Sequence, residues 1–486
     1  MQVEGVSMRW TLGFARTMAG LVSALGLLGV ASEAFACGGC FGLATSNAPV
    51  VGHRMAFALS EGRTVLWDQF EYSGAPEEFS WVLPVAPGAY LEASTDAWFD
   101  ALEGYTRVAV QAPPLNCASG GSSGCGWAQS DSGVALSSDG YIDQRPGVIV
   151  LHRDTVGPYD TVTLRSTSGD ALSEWLVQNG FVIPEDVTPI IAAYVAEGAD
   201  FIALRLRPGT GVTQMTPVRV VTPNGPAILP LRMVAAGVGD WVDIVLYVIG
   251  DQRFGLPDLL EVSPDFGRLS FDFSTNDSNY LELRRAALAR NEGRVFLTAY
   301  ASEGDLAGVR QGRSFSTSSG KGSSTELVSL YFQQALDNAG AMRLDACDPI
   351  AAKLRPDRRV VADCVEGLEC PPLGADEVRA GELECGGFDD VAAALTGQRL
   401  PRQTWLTRLE LRLPRQALAM DCVVEPNVDQ VAVSNSLQAQ RFSNPPCDLP
   451  IFSSSLSPAP PRSFGSWVLA STLFCAFLRR RVKRAA

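Results

Sequence analysis

Trp405 to Leu413 reads WLTRLELRL, and the alternation within it sets the fold class. Trp405, Thr407, Leu409, Leu411 and Leu413 recur with period two, and Arg408, Glu410 and Arg412 fill the gaps. A strand turns successive side chains to opposite faces, so the pattern predicts a β-strand with the first set inward and the charges facing out. Pro414, next in line, is suited to open a short helix.

The same period recurs upstream. Phe79, Trp81, Leu83 and Val85 alternate with Ser80, Val82 and Pro84, which predicts a half-buried strand within a β-rich stretch 55–85. Turns are expected at Glu61-Gly62, Ser73-Gly74 and Gly157-Pro158, the last within a hairpin over 148–165. Further strands are expected over 201–207, 217–221, 227–234, 241–249, 269–273 and 295–300. Of these, 241–249 is apolar on both faces and therefore central. Helices are expected at 96–102, capped by Ser94 or Thr95, at 170–178, 185–197 and 326–338, and at 280–290, ended by Asn291 and Gly293. Residues 117–140 and 312–325 are Gly/Ser-rich loops. The sum is an α+β, sheet-dominated chain with a sandwich-like β core, several helices and disulfides.

Both termini carry processing or anchoring signals. Arg9 and Arg16 precede the apolar run Met18–Val30, and Ala34-Phe35-Ala36 supplies small residues for cleavage before Cys37, the layout of a signal peptide over 1–36. A lipid on Cys37 is the rival reading, but Ala34 stands where such sites take Leu. At the other end, residues 453–462 are a Pro/Ser spacer within a 451–463 linker. Phe464–Leu478 is then apolar and is followed by Arg479, Arg480, Arg481, Lys483 and Arg484. Such a cluster stays cytoplasmic and leaves the body outside. The apolar run reaches only about 22 Å as a helix, against a hydrocarbon core of about 30 Å. Residues 464–486 thus read as a short transmembrane segment or as a sorting tail, which they resemble in layout. Between the ends, 37–340 is expected to be the main β-rich domain, and 341–450 a Cys-rich segment with a closing strand and helix in the same ectodomain.

The chain has 486 residues, 46% hydrophobic and 19% charged, enough to bury a sizeable core. Of 39 cations and 53 acids, two of each lie in 1–36 and five cations in 464–486, leaving 37–463 with a net charge of −19. A body that acidic repels phosphate backbones, so nucleic acid is not an expected partner. The expected partners are a cell-envelope component or surface protein, the membrane through the C-terminal tail, and a sorting protease.

Eleven cysteines are present, with Cys475 inside the apolar tail. The other ten, Cys37, Cys40, Cys117, Cys125, Cys347, Cys364, Cys370, Cys385, Cys422 and Cys447, are disulfide candidates in an exported chain. Cys117 and Cys125 enclose a Gly/Ser loop and suit each other; the connectivity of the rest is open. Zinc needs histidines or further close pairs, and the chain offers only His53 and His152, so no metal or cofactor is expected. Cys37 and Cys40 form a C-x-x-C, but no strand precedes Cys37 to place it at a helix N-terminus, where a redox thiol gains its acidity.

The start CGGC, EEFSWVLPV (77–85), NYLELRRAALARNEGRVFLTAYAS (279–302) and WLTRLELRLP (405–414) together resemble the secreted bacterial family called domain of unknown function 2330. The likeness spans about 37–430 and implies export and envelope anchoring, with no activity or site residue to carry over. The Cys-rich stretch near 347–390 departs from the family pattern.

Catalytic patterns are weak. Gly120–Gly124 fits G-x-S-x-G by spacing, but it sits in a loop without the strand and helix of a nucleophile elbow. Gly320-Lys321 lacks the rest of a phosphate loop. Asp272, Asn276, Asp277 and Asn279 do not follow calcium-loop spacing and read as a solvated turn. Trp67, Phe70, Trp81, Trp98 and Phe99 read as core. The expectation is an exported, envelope-anchored structural or binding protein. The rivals are a carboxylate- or serine-based hydrolase and a thiol oxidoreductase using Cys37 and Cys40.

Overall fold

The computed structural model describes residues 39–41, 52–70, 79–114, 147–181, 183, 187–211, 214–235, 238–306, 327–328, 330–331, 352–364, 370–383 and 389–445. The chain divides into two units, 1–113 with 125–443, and 114–124 with 444–486; the architecture below is that of the first.

Two sheets carry it. One has five strands: β1 (Gly39–Phe41), β4 (Ser80–Val85), β6 (Val148–Val156), β7 (Tyr159–Ser166) and β8 (Asp200–Leu206), in the order β1-β4-β8-β7-β6. The other has eight: β2 (Gly52–Ser60), β3 (Arg63–Phe70), β5 (Tyr90–Ala93), β9 (Val218–Pro223), β10 (Trp241–Gly250), β11 (Leu260–Glu261), β12 (Val295–Glu303) and β13 (Trp405–Pro414). Its order is β11-β12-β13-β10-β2-β3-β9-β5. Pairing is antiparallel except β10 with β2 and β11 with β12.

The sheets face each other across one apolar layer. Trp81, Leu83, Ile202 and Leu204 from the five-stranded sheet meet Phe57, Leu66, Leu246, Leu409 and Leu411 from the eight-stranded one. Helices α2 (Gly169–Gln178) and α3 (Thr188–Ala196) cover the outer face of the smaller sheet, with Trp175, Leu176, Ile191 and Tyr194 on Val82, Phe201 and Ala203. Helices α1 (Asp96–Thr106) and α5 (Asp390–Leu395) cover the outer face of the larger one, where Trp98 packs between Trp67 and Tyr331 at ring distances of 5.5 and 5.6 Å. The sandwich-like α+β expectation holds, as a helix–sheet–sheet–helix stack.

Because the central strands of both sheets are covered on both faces, two strand expectations need correction, and Pro230 breaks a third. In β4 every residue is buried, not every other one. In β13, Leu409, Leu411 and Leu413 do face the inner layer, but Arg408 and Glu410 do not reach water; they are 5% and 4% exposed. Period two tells which residues share a face and is silent on what covers that face. Residues 227–234 are not one strand: Ile228–Leu229 pairs with Cys422–Val423, and Leu231–Val234 makes a single helical turn after Pro230.

Other expectations stand closer. The Glu61-Gly62 and Gly157-Pro158 turns join β2 to β3 and β6 to β7. Central placement of β10 holds, between β13 and β2. Helix α4 (Tyr280–Leu288) stops short of Arg290, and Asn291, Glu292 and Gly293 follow with φ of 46°, 55° and 79°. A Cβ on Gly293 would lie 2.7 Å from Pro414, so the chain reversal there needs glycine twice over, for its φ and for its space. Ser73-Gly74, the loops 117–140 and 312–325, and most of 326–338 lie outside the described residues.

Candidate functional site

The register at one margin of the eight-stranded sheet builds a polar cleft. In β3, β9 and β5, Trp67, Arg219 and Glu92 lie side by side, because Arg219 pairs with both others. Two residues along, about 7 Å further on, comes the row Val65, Val221 and Tyr90, and beyond it Arg63 with Pro223. Directly opposed residues share a face, so these rows look outward together. The start of α5, together with Ala362, Asp363 and Ala380, closes over them. The result is a cleft of about 340 Å³ lined by Arg63, Tyr90, Glu92, Arg219, Asp363 and Asp389 among others.

Arg219 anchors the site. Its guanidinium donates through Nε to Glu92 at 2.6 Å, through Nη1 to Asp390 at 3.1 Å, and through Nη2 to Asp389. Burial would lower its pKa, but Asp390, Asp389 and Glu92 together raise it, so it stays charged. Asp390 is wholly enclosed. It accepts from Trp67 Nε1 at 2.8 Å, Thr95 Oγ1 at 3.1 Å and Tyr331 OH at 3.3 Å, besides Arg219. Burial, helped by Asp389, raises the Asp390 pKa against the pull of Arg219. The physical reason is that one cation is divided among three acids, and the fully buried acid has no water to make up the deficit. Thr95 does stand at the N-cap of α1, but its hydroxyl serves Asp390 and makes no cap hydrogen bond.

Arg63 contrasts with its neighbour. Its guanidinium makes one hydrogen bond, from Nη1 to the Ala393 carbonyl at 3.1 Å, and no described carboxylate forms an ion pair with it. Burial lowers its pKa, Tyr90 and Glu92 work against that, and Arg219 adds to it in a smaller measure. Tyr90, 46% exposed, sits at the mouth, its phenol raised by burial and by Glu92.

A second buried cluster lies on the same sheet face. Arg408 donates to Glu103 at 2.6 Å and to Glu410 at 2.9 Å, and lies 5.6 Å over the Tyr247 ring; Arg284 reaches Glu410 from α4. Two cations meet two acids, which leaves the cluster neutral. Arg253 with Glu261 and Thr298, and Arg232 with Glu197 and Asp421, form smaller sets.

The residues singled out from sequence disperse. Cys364 and Cys370 form a disulfide with Cα atoms 5.6 Å apart, and both cysteines are exposed. Cys422 is instead a free buried thiol, its pKa pushed up to about 12 by burial. Cys40 lies in β1, paired with Trp81. Cys37, Cys117, Cys125, Cys347, Cys385 and Cys447, and the 120–124 and 320–321 patterns, fall outside the described residues. His53 is buried with Nδ1 3.6 Å from Asp68, while His152 is exposed beside Asp154. Asp272, Asp277 and Asn279 bond to residues of their own turn or just before it. Trp67, Trp81, Trp98 and Phe99 are core. Among the described residues, no group of three His, Cys, Asp or Glu side chains could hold a metal ion, and no helix is long and apolar enough to cross a membrane. The tail 464–486 was outside that range.

None of the cleft residues was a sequence candidate. Arg219, a single charge inside the apolar run VRVV, was the available signal, together with Asp389-Asp390 at the start of the Ala-rich α5.

A family model described as an uncharacterized protein conserved in bacteria, DUF2330, matches residues 30–423, a span that includes every cleft residue. No curated protein and no solved structure matches the chain.

Proposed function

We propose that this chain, which belongs to the bacterial family DUF2330, is an exported protein with a structural or binding role, held at or released from the cytoplasmic membrane by its C-terminal segment. The observation that carries the reading is the Cys364–Cys370 disulfide. Both sulfur-bearing residues are exposed, and disulfides of that kind persist in oxidising compartments and are reduced in the cytosol. The export-like N-terminus and the arginine-rich tail support the same placement.

A binding role fits the cleft better than catalysis does. The hydrolase reading has one argument, the raised Asp390 beside Asp389 and Glu92. A general acid must touch its substrate, and Asp390 is 0% exposed with both oxygens occupied. The oxidoreductase reading loses its geometry at Cys40, which lies in a strand instead of opening a helix.

Intact-mass analysis of the protein from native cells, fractionated into envelope and cytoplasm, tests the placement. The expected species is in the envelope, begins at Cys37 and has Cys364 and Cys370 oxidised. A full-length, fully reduced chain in the cytoplasm overturns it.

A further inference from the structure

Resting on the binding role above, we infer that the cleft recognises a small zwitterion, an amino acid or short peptide, holding its carboxylate at Arg63 and its ammonium at Glu92 and Asp389. The cleft is bipolar. At one end Arg63 presents a half-buried guanidinium with a single bond, to the Ala393 carbonyl, and spare N–H donors. Glu92 attracts this guanidinium but makes no ion pair with it, and a half-buried guanidinium is costly without one; a ligand carboxylate is the partner whose geometry matches it. At the other end Glu92 and Asp389, 36% and 25% exposed, each give one oxygen to Arg219 and line the cleft. Arg219 is saturated by three acids, so it holds these carboxylates in place without neutralising them all. The exposed ring of Tyr90, in the row between the two ends, is placed to pack against the ligand or to face its cation.

The charges exclude simpler ligands. An anion alone meets Glu92, Asp363 and Asp389; a cation alone leaves Arg63 unpaired and next to another positive charge. A molecule with both ends charged satisfies each. The volume of about 340 Å³ lies at the small end of ligand pockets and suits a molecule of dipeptide size.

Calorimetric titration of the full chain with L-alanyl-L-alanine, its N-acetyl form and its amide tests this. The dipeptide is expected to bind, and blocking either end to weaken binding about tenfold or more, the size of a lost charged hydrogen bond. Arg63→Gln should bind the dipeptide and its amide alike, because the partner of the carboxylate is gone. Glu92→Gln should likewise narrow the gap between the dipeptide and its N-acetyl form. Arg63→Lys and Glu92→Asp, which keep the charges, should restore part of the discrimination and guard against misfolding. No binding of the dipeptide at millimolar concentration, equal binding of all three probes, or blocking penalties unchanged in both variants overturns the inference. Envelope location is read by mass, so failure here leaves the export reading untouched.

Discussion

Arg408 and Arg219 stand on the same face of the same sheet, with side chains only 6% and 7% exposed, yet they do opposite things. Around Arg408 two cations and two acids close on one another beneath α1 and α4, and only Glu103 and, less so, Arg284 reach water. Around Arg219 one cation serves three acids, and two of them reach into a cleft. A balanced, enclosed cluster fixes register and helix placement. An unbalanced one open to solvent keeps charge available for something else. Both cost desolvation; only the second can recover it from a ligand.

The comparison breaks most easily at Arg408. Replacing it with Met leaves Glu410 with Arg284 alone and Glu103 with only the Tyr247 hydroxyl, and breaking a buried pair of this kind costs about 3–5 kcal/mol. A urea midpoint that implies a loss under about 1 kcal/mol would remove Arg408 from the fold's support. Arg219→Met should cost less, about 2–3 kcal/mol at neutral pH, because Asp390 can take up a proton and the cleft admits water. That loss should shrink on acidification; a penalty independent of pH contradicts the shared-cation account.

Acid should separate the clusters by sign. The folded pKa of Asp390 is raised above the ordinary 3.8, so the folded state binds the extra proton and stability is lost as pH rises from 3.8 through the raised value. Glu103 runs the other way. Burial would raise it, but Arg408 and Tyr247 bring it below the ordinary 4.5. Its contribution is present above 4.5 and lost as pH falls through the depressed value. Asp390→Asn should therefore flatten a falling limb of the stability–pH curve, and Glu103→Gln a rising one. The same change of slope in both variants would erase the distinction.

The smallest effect belongs to Cys422. With its thiol pushed up to about 12, it should resist iodoacetamide at pH 8 in the native protein and react once urea unfolds it. Cys422→Ala should cost about 1 kcal/mol, the scale of a small buried group.

Much of the sandwich was legible along the chain. The alternation of 405–413, the two-residue turns at 61–62 and 157–158, and the doubly apolar 241–249 are local patterns, and each became the expected element. The strand expected at 227–234 failed because Pro230 breaks the ladder there and the following turn of helix packs Leu231 and Val234 into the inner layer. The cleft was not legible at all. Its residues come from 63, 90–92, 219, 363 and 389–390, and only the pairing of β3, β9 and β5 brings the first of these together.

Composition and periodicity alone determined that this chain is sheet-dominated α+β and acidic, because strand period and charge are properties of neighbours in sequence. Only the tertiary structure decided that the central strands are covered on both faces, that Arg408 and Glu410 face each other instead of water, and that Cys422 stays unpaired. Those outcomes depend on which layer lands on which face, and on the sharing of one guanidinium among acids more than a hundred residues away.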